Sequence, residues 1–232
     1  MTFSRKKVVA AIRVHAPPGF RPQFNEEQWR ALENDGWDDG AFVVVADVRE
    51  STSLMKEAID PTGYARALHE FAAGARDDAR STGGWFDKFT GDGFIVYWPK
   101  LGSLADGPRA KAALEFCEKT RQRFPAVMGR FRQHVQNLSA GAGLALGLDS
   151  GNCRLAMVGN DLTVLGAPVV GAVRMVSAAK SGELLVNVHL GEALTRGFVD
   201  EPRFRVKQTF VPTKEFPNGQ EAYLVVFGPS SR

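Results

Sequence analysis

Residues 83–98 have the sequence GGWFDKFTGDGFIVYW, in which two aromatic-rich segments flank the turn TGDG at 90–93. This pattern predicts a β-hairpin, because glycines let the backbone fold tightly between two strands. The turn would present the carboxylate of Asp92 at a strand end, where ligands are often bound. Lys88 is the only cation of the stretch. Taken alone, the pattern also fits an ordinary turn with a lysine that protects an edge strand.

A second carboxylate, Asp47, has a similar setting upstream. It follows the apolar run 41–46, AFVVVA, which predicts a strand buried on both faces. Ser51 or Thr52 then offers an N-cap for a helix at 53–59, so a strand-to-helix turn follows Asp47 directly. The N–H groups at a helix N-terminus favour phosphate. Two carboxylates beside such a turn predict divalent metals, Mg²⁺ or Mn²⁺, that bridge a polyphosphate.

The composition is ordinary for a globular protein, with 44% hydrophobic and 24% charged residues among 232. This length fits one large domain, or one domain with an N-terminal extension. The formal charge of +3 is too small to favour nucleic acid or an acidic membrane surface. Cys117 and Cys153 lack the spacing of a zinc site or a disulfide framework, which indicates a reducing compartment. Arg13 and His15 interrupt the first apolar run short of a signal-peptide core, and no stretch could span a membrane, so we expect a cytoplasmic protein.

The rest of the chain alternates between predicted helices and strands. Prolines interrupt residues 1–40, and Asn25 caps one short predicted helix there, at 25–32. Further helices are predicted at 62–81, 107–124 and 169–179. Further strands are predicted at 141–151, 154–158, 182–188, 204–211 and 221–227, with a turn between the first two. This alternation predicts an α/β (α+β) sandwich.

Four motifs together resemble the catalytic domain of class III nucleotidyl cyclases. They occur in the order of that family, over about residues 42–227, and none of them is decisive alone. They are the strand, Asp47 and helix turn; the hairpin GGxxxKxxGDG; Leu144–Gly151; and Thr163–Gly166 leading to Arg174. The resemblance implies a ferredoxin-like core, with a mixed and mostly antiparallel sheet covered by helices, in a homodimer. It divides the chain into an N-terminal extension, 1–40, and a nucleotidyl cyclase catalytic domain, 41–228.

The resemblance also implies two divalent metal ions, Mn²⁺ or Mg²⁺. Asp47 and Asp92 match the two metal-binding aspartates of the family, and the carbonyl of Val48 matches its backbone ligand. The chemistry requires metals because a ribose 3′-hydroxyl is a poor nucleophile until a metal lowers its pKa.

Other residues match the family positions that bind the phosphates of the substrate. The backbone of the turn Arg49, Glu50, Ser51 and Thr52 would hold the β- and γ-phosphates. Arg174 matches the arginine that stabilises the α-phosphate in the transition state, and Lys214 matches the lysine that holds the terminal phosphates. The alternative for each is an ordinary surface cation. In the family, two sites lie at the dimer interface, with metal ligands from one subunit and the base, arginine and lysine contacts from the other.

Lys88 and Thr163 match the two base-contacting positions, and this pair is the usual adenine-selecting choice. Their chemistry is less selective, since an ammonium donates to any acceptor and a hydroxyl donates or accepts. The sequence also departs from the family at Val170, which stands where an asparagine orients the ribose.

A second departure lies at Glu50 and Ser51, which replace the usual Gly-Phe beside Arg49. A charged Arg-Glu pair at this position favours a pocket with different donors and acceptors. The alternative is an ion pair that faces solvent and contributes little.

The segments 49–58 and 85–94 look more like the bacterial pyrimidine cyclases of Pycsar antiphage systems than like adenylate cyclases. That resemblance implies UTP or CTP as substrate, a cyclic pyrimidine messenger, a separate effector protein and cell suicide during phage infection. We expect UTP, with cUMP and diphosphate as products and no nucleic-acid or membrane partner. The alternatives are a cytidylate cyclase, an adenylate cyclase that makes cAMP from ATP, and a degenerate cyclase fold that only binds nucleotide.

Overall fold

The computed structural model describes residues 2–101, 105–131 and 141–228. The strands are β1 Trp37–Arg49, β2 Trp85–Phe89, β3 Gly93–Pro99, β4 Gly143–Val158, β5 Asp161–Leu165, β6 Leu184–Asn187, β7 Phe204–Val211 and β8 Gln220–Phe227. The helices are α1 Arg5–His15, α2 Glu26–Asn34, α3 Ser51–Lys56, α4 Pro61–Ser81, α5 Asp106–Phe131, α6 Ala167–Ala178 and α7 Val188–Thr195.

All eight strands belong to one sheet. Its order is β2-β3-β1-β4-β6-β8-β7, and β5 pairs with β4 beside this path. The pair β4 and β6 is parallel, and the other strand pairs are antiparallel. The sheet is therefore mixed and mostly antiparallel, as the resemblance to class III cyclases implied, and this expectation is confirmed.

Helices cover both faces of this sheet, and β1 contributes to both cores. Phe42, Val44 and Ala46 face a buried cluster that includes residues of α4, α5 and α7. Val43 and Val45 face a second cluster that includes residues of α1, α2 and α6. Side chains alternate along a strand, so a continuous apolar run is required when both faces are buried. The predicted two-sided burial of this strand is confirmed.

The N-terminal segment packs on the same face as α6. Asn25 caps α2 as predicted, through reciprocal hydrogen bonds with Gln28. The preceding helix α1 was not predicted, although its buried residues recur at helical spacing: Val8, Ala11, Ile12 and His15. The boundary predicted between residues 40 and 41 lies within β1, whose first residue is Trp37.

Two predictions around the central strands are wrong. The turn predicted between 151 and 154 does not form, because β4 continues through Gly151 and pairs with the whole length of β1, from Trp37 opposite Leu155 to Arg49 opposite Gly143. Neither Ser51 nor Thr52 caps α3, since Ser51 is already its first residue. In the described part of the chain, no helix combines the length and apolar character needed to cross a membrane.

Candidate active site

Asp47 and Asp92 are brought together by the pairing of β1 with the hairpin. Asp47 lies opposite Gly93, and the N–H of Val48 donates to the carbonyl of Asp92 at 3.0 Å. A Cβ atom on Gly93 would lie only 2.1 Å from the carbonyl oxygen of Ala46, so this approach requires glycine. The second glycine of the turn motif thus sets how closely the two aspartates approach.

The two carboxylates have different partners. Asp47 Oδ2 lies 2.9 Å from Nη1 of Arg49. Burial raises the pKa of Asp47, the positive charge of Arg49 opposes this, and the negative charge of Asp92 adds to it. Asp92 Oδ2 accepts a hydrogen bond of 2.6 Å from Ser51 Oγ. The hydroxyl of Ser51 therefore ties the start of α3 to the hairpin turn, a contact that the sequence did not predict.

These oxygens fit a divalent metal that also binds substrate. Mg²⁺ and Mn²⁺ prefer oxygen ligands and commonly take only one or two carboxylates, with water and phosphate completing the shell. Among the described residues, no group of three or more His, Cys, Asp or Glu side chains could hold a metal alone. The guanidinium of Arg49 already places a cation against Asp47. The site thus attracts positive charge but leaves ligand positions for a substrate.

The turn after Asp47 has an unusual backbone. Glu50 is in the left-handed region, at φ 58°, and precedes the first residue of α3. Its side chain is exposed, as is that of Thr52, whereas Ser51 is buried. The ion pair of Arg49 that the structure describes is with Asp47 rather than with Glu50. Glu50 therefore shapes the turn, and Arg49 contributes charge to the carboxylate site.

Lys88 and Thr163 lie on either side of one buried carboxyl group. Asp87 Oδ2 accepts a hydrogen bond of 3.1 Å from Thr163 Oγ1 and lies 3.3 Å from Nζ of Lys88. The Lys88 side chain is 53% exposed and that of Asp87 only 1%. The sequence motifs singled out Lys88 and Thr163 but not Asp87, although Asp87 directly precedes Lys88 in the chain.

Arg174 lies on α6, one turn after Val170. Its Nε donates to Glu215 Oε2 at 2.9 Å, and its guanidinium lies over the ring of Phe216. Glu215 directly follows Lys214 in the loop between β7 and β8. The structure therefore brings the loop of Lys214 to Arg174 through a glutamate that the sequence did not single out.

Comparison with known proteins finds matches only among solved structures. No protein-family model matches the chain, and no curated protein matches it either. The adenylyl cyclase CyaB from P. aeruginosa superposes with a TM-score of 0.71 at 20% identity, over 85% of this chain and 99% of that chain. The guanylate cyclase domain of RhGC from Catenaria anguillulae, solved with GTP, gives 0.66 at 15% identity, over 83% and 100%. Adenylate cyclases from Trypanosoma brucei give 0.61 at 17%, over 84% and 91%.

This chain has the class III cyclase fold. Within that fold, the candidate residues with described side-chain contacts form three groups, namely Asp47 and Asp92, Lys88 and Thr163 around Asp87, and Arg174 with Glu215. Asp47 alternates with Val43 and Val45 along β1, so it faces the side on which α6 packs. In the ranges that the structure describes, no hydrogen bond or ion pair joins Asp47 or Asp92 to Lys88, Thr163 or Arg174. The two aspartates, the group around Asp87 and Arg174 are therefore separate from one another within one chain.

Proposed function

We propose that this chain is a nucleotidyl cyclase that converts UTP to 3′,5′-cyclic UMP and diphosphate. The observation that carries the proposal is the pairing of Asp47 and Asp92, at the end of a buried strand and beside the start of α3. The class III cyclase fold supports it, since adenylyl and guanylyl cyclases share that fold.

Asp47, Asp92 and the carbonyl of Val48 would hold two divalent ions, Mn²⁺ or Mg²⁺. When bound, such ions lower the pKa of a ribose 3′-hydroxyl and neutralise charge on the triphosphate. Ser51 orients Asp92 by donating to one of its oxygens. Arg49 balances the charge of Asp47 before substrate arrives. The turn from Arg49 to Thr52 would then direct backbone N–H groups at the β- and γ-phosphates.

Arg174 would stabilise the negative charge that develops on the α-phosphate. A fixed guanidinium there is worth about 3–4 kcal/mol, by analogy with the loss of one oxyanion donor. Its present partner Glu215 is half exposed, so the ion pair is weak and a phosphate can replace it. Lys214, beside Glu215, would bind the terminal phosphates once the loop closes on the substrate.

The separation of the three groups supports two shared sites in a homodimer. The carboxylates of one subunit would then act with Lys88, Thr163 and Arg174 of the other. Apolar side chains near Arg174 also support a covered surface, since Val170 is 55% exposed and Phe216 is 49% exposed. Large exposed apolar side chains that cluster beside a site are typical of interfaces.

UTP is proposed over other triphosphates because of the residues at three positions. Glu50 and Ser51, beside Arg49, replace the usual Gly-Phe of the family, and Val170 replaces its ribose-binding asparagine. Lys88 can donate to a carbonyl oxygen of uracil, and Thr163 can accept from the neighbouring ring N–H. We further propose that the cyclic pyrimidine product activates a separate effector that stops phage infection.

A second candidate is an adenylate cyclase that makes cAMP, because Lys88 and Thr163 are the residues that usually select adenine in the resembled family. CTP is the closest pyrimidine alternative. A module that only binds nucleotide is a third possibility, which Val170 favours and the two paired aspartates oppose.

The experiment compares the wild-type chain with Asp47→Ala and Asp92→Ala. Purified proteins are incubated with Mn²⁺ and UTP, and the product is identified by chromatography and mass. Each substitution is expected to lower kcat/KM by at least about 100-fold, as losses of transition-state charge stabilisation do. Asp161→Asn, at an exposed position on β5, is the control and should keep wild-type activity. Full activity of both alanine variants would reject the proposed site.

A further inference from the structure

A β-bulge in the hairpin places two charged side chains on one face of the sheet. Trp85 pairs with Tyr97 and Phe86 with Val96, but the register then shifts so that Lys88 pairs with Ile95. Asp87 is therefore the extra residue. In a regular strand, Asp87 and Lys88 would point to opposite faces. The bulge turns Lys88 toward the side that Asp87 already faces, which brings Nζ to 3.3 Å from Asp87 Oδ2.

Asp87 is buried and holds both residues of the base region. Its Oδ2 accepts from Thr163 Oγ1 at 3.1 Å as well as lying beside Lys88, while Oδ1 has no hydrogen-bond partner among the described residues. Burial raises the pKa of Asp87. The hydrogen bond from Thr163, the charge of Lys88 and that of His15 oppose this and favour the ionised carboxylate. Asp87 lies on β2 and Thr163 on β5, so this contact joins two separate elements.

The hydrogen bond to Asp87 determines whether the hydroxyl of Thr163 donates to a bound base or accepts from it. A hydroxyl has one proton, and a carboxylate can only accept. When the proton of Thr163 is directed to Asp87, Oγ1 offers only lone pairs to a bound base. Lys88 can only donate. The pair then presents one fixed donor and one fixed acceptor, instead of a hydroxyl that adapts to any base.

We propose that Asp87 is a positioning residue for base selection, which fixes Thr163 as a hydrogen-bond acceptor and Lys88 as the donor beside it. This inference rests on the proposed function and adds a residue to it. For uracil, the fixed pair matches a carbonyl oxygen and the adjacent ring N–H. Without Asp87, the Thr163 hydroxyl can also donate, and bases that present an acceptor instead of a donor to Thr163 become acceptable at that position. Removal of Asp87 should therefore change the relative kcat/KM values for the different nucleoside triphosphates.

The test is a double-mutant cycle with Asp87→Asn and Thr163→Val, in which kcat/KM is measured for each of the four nucleoside triphosphates. We expect Asp87→Asn to lower the preference for the best base by about tenfold, the effect of one hydrogen bond. In the Thr163→Val background, the same substitution should change the preference by less than about twofold, because the group through which it acts is gone. Asp161→Asn is the matched control on the strand of Thr163.

Thr163→Ser and Thr163→Val provide a second comparison that leaves the buried carboxylate in place. Serine keeps a hydroxyl that can donate to Asp87 and should retain the wild-type preference, whereas valine should relax it. An unchanged preference in Thr163→Val, or an equal effect of Asp87→Asn in both backgrounds, would overturn the role of Asp87. If the wild-type chain forms no cyclic product from any triphosphate, the proposed function itself fails, and the inference with it, before any variant is compared.

Discussion

At the residue scale, the candidate site is defined by pairs of opposite charge. Asp47 is paired with Arg49, and Arg174 is paired with Glu215. In both pairs, a protein side chain stands where the proposed function places a metal or a phosphate. Partly exposed ion pairs contribute only about 0–1 kcal/mol. Substrate and metal can therefore replace these partners at little cost.

Arg49→Gln is expected to tighten binding of Mn²⁺ to the substrate-free protein. Removing a positive charge 2.9 Å from a ligand oxygen relieves repulsion of the incoming cation. We expect about a three- to tenfold lower Kd by isothermal titration calorimetry, equivalent to roughly 1 kcal/mol. Arg30→Gln, at a position on α2 far from Asp47 in the sequence, is the control. Weaker Mn²⁺ binding by Arg49→Gln would show that Arg49 supports the carboxylate geometry instead of competing with the metal.

At the element scale, the hairpin of β2 and β3 connects Asp92 with the group of Asp87, Lys88 and Thr163. Its turn carries Asp92, and its bulge orients Asp87 and Lys88. Gly93 is required by contact, since it lies against the backbone of Ala46, whereas Gly91 is favoured by its φ of 104°. We therefore expect the proposed activity to depend on the geometry of this hairpin.

Gly93→Ala should both destabilise the protein and weaken Mn²⁺ binding. The added methyl group would meet the carbonyl of Ala46 at 2.1 Å, so β1 and β3 must separate. Overpacking of this kind costs typically about 1–3 kcal/mol in the free energy of unfolding, measurable by urea denaturation. Gly129→Ala is the control, because nothing lies within 4 Å of its added Cβ. That change in α5 should be neutral or stabilise by up to about 1 kcal/mol. Equal behaviour of the two variants would contradict the close-contact account.

Elements with strong periodicity were predictable from the sequence, and those set by tertiary contacts were not. The hairpin, the two-sided burial of β1 and the pair β7 and β8 follow from apolar patterns and turn residues. The bulge at Asp87 does not, because pairing with β3 decides it. Continuity of β4 through Gly151 was missed because a Gly-rich segment also fits a turn. The buried residues of α1 have helical spacing, which is a local signal that the sequence does contain.

The candidate residues divide in the same way. Asp47, Asp92 and Lys88 could be proposed as site residues from motif order and residue type. Ser51 as the partner of Asp92, and Glu215 as the partner of Arg174, join positions 41 residues apart in the chain in each case. Such pairs depend on the fold and carry no local pattern. Within one chain, the two aspartates, the Lys88 and Thr163 group and Arg174 remain separate.

At the scale of the whole molecule, a homodimer would bring those groups together. Asp47 and Arg174 would then act in the same site only when they come from different subunits. Exposed apolar side chains on α6, Val170 and Val173, are available for such an interface. A monomer would hold incomplete sites.

Mixing Asp47→Ala and Arg174→Ala chains should restore activity that neither has alone. In a mixed dimer, one site receives the intact aspartate and the intact arginine, and the other site has lost both. With random pairing, about one quarter of wild-type activity is expected in the cyclic-nucleotide assay. The control is each variant mixed with itself. No recovery, with mixed dimers demonstrated by differential tagging, would contradict shared sites.

The most direct measurement is a competition among the four triphosphates in one reaction. The purified chain is incubated with Mn²⁺ and equal concentrations of ATP, GTP, CTP and UTP, and each cyclic nucleotide is quantified by mass against an Asp47→Ala blank. Product ratios then report kcat/KM ratios directly. We predict cyclic UMP as the main product, with an equal amount of diphosphate. Cyclic AMP as the main product would contradict the pyrimidine assignment, and no cyclic product from any triphosphate would contradict the cyclase itself.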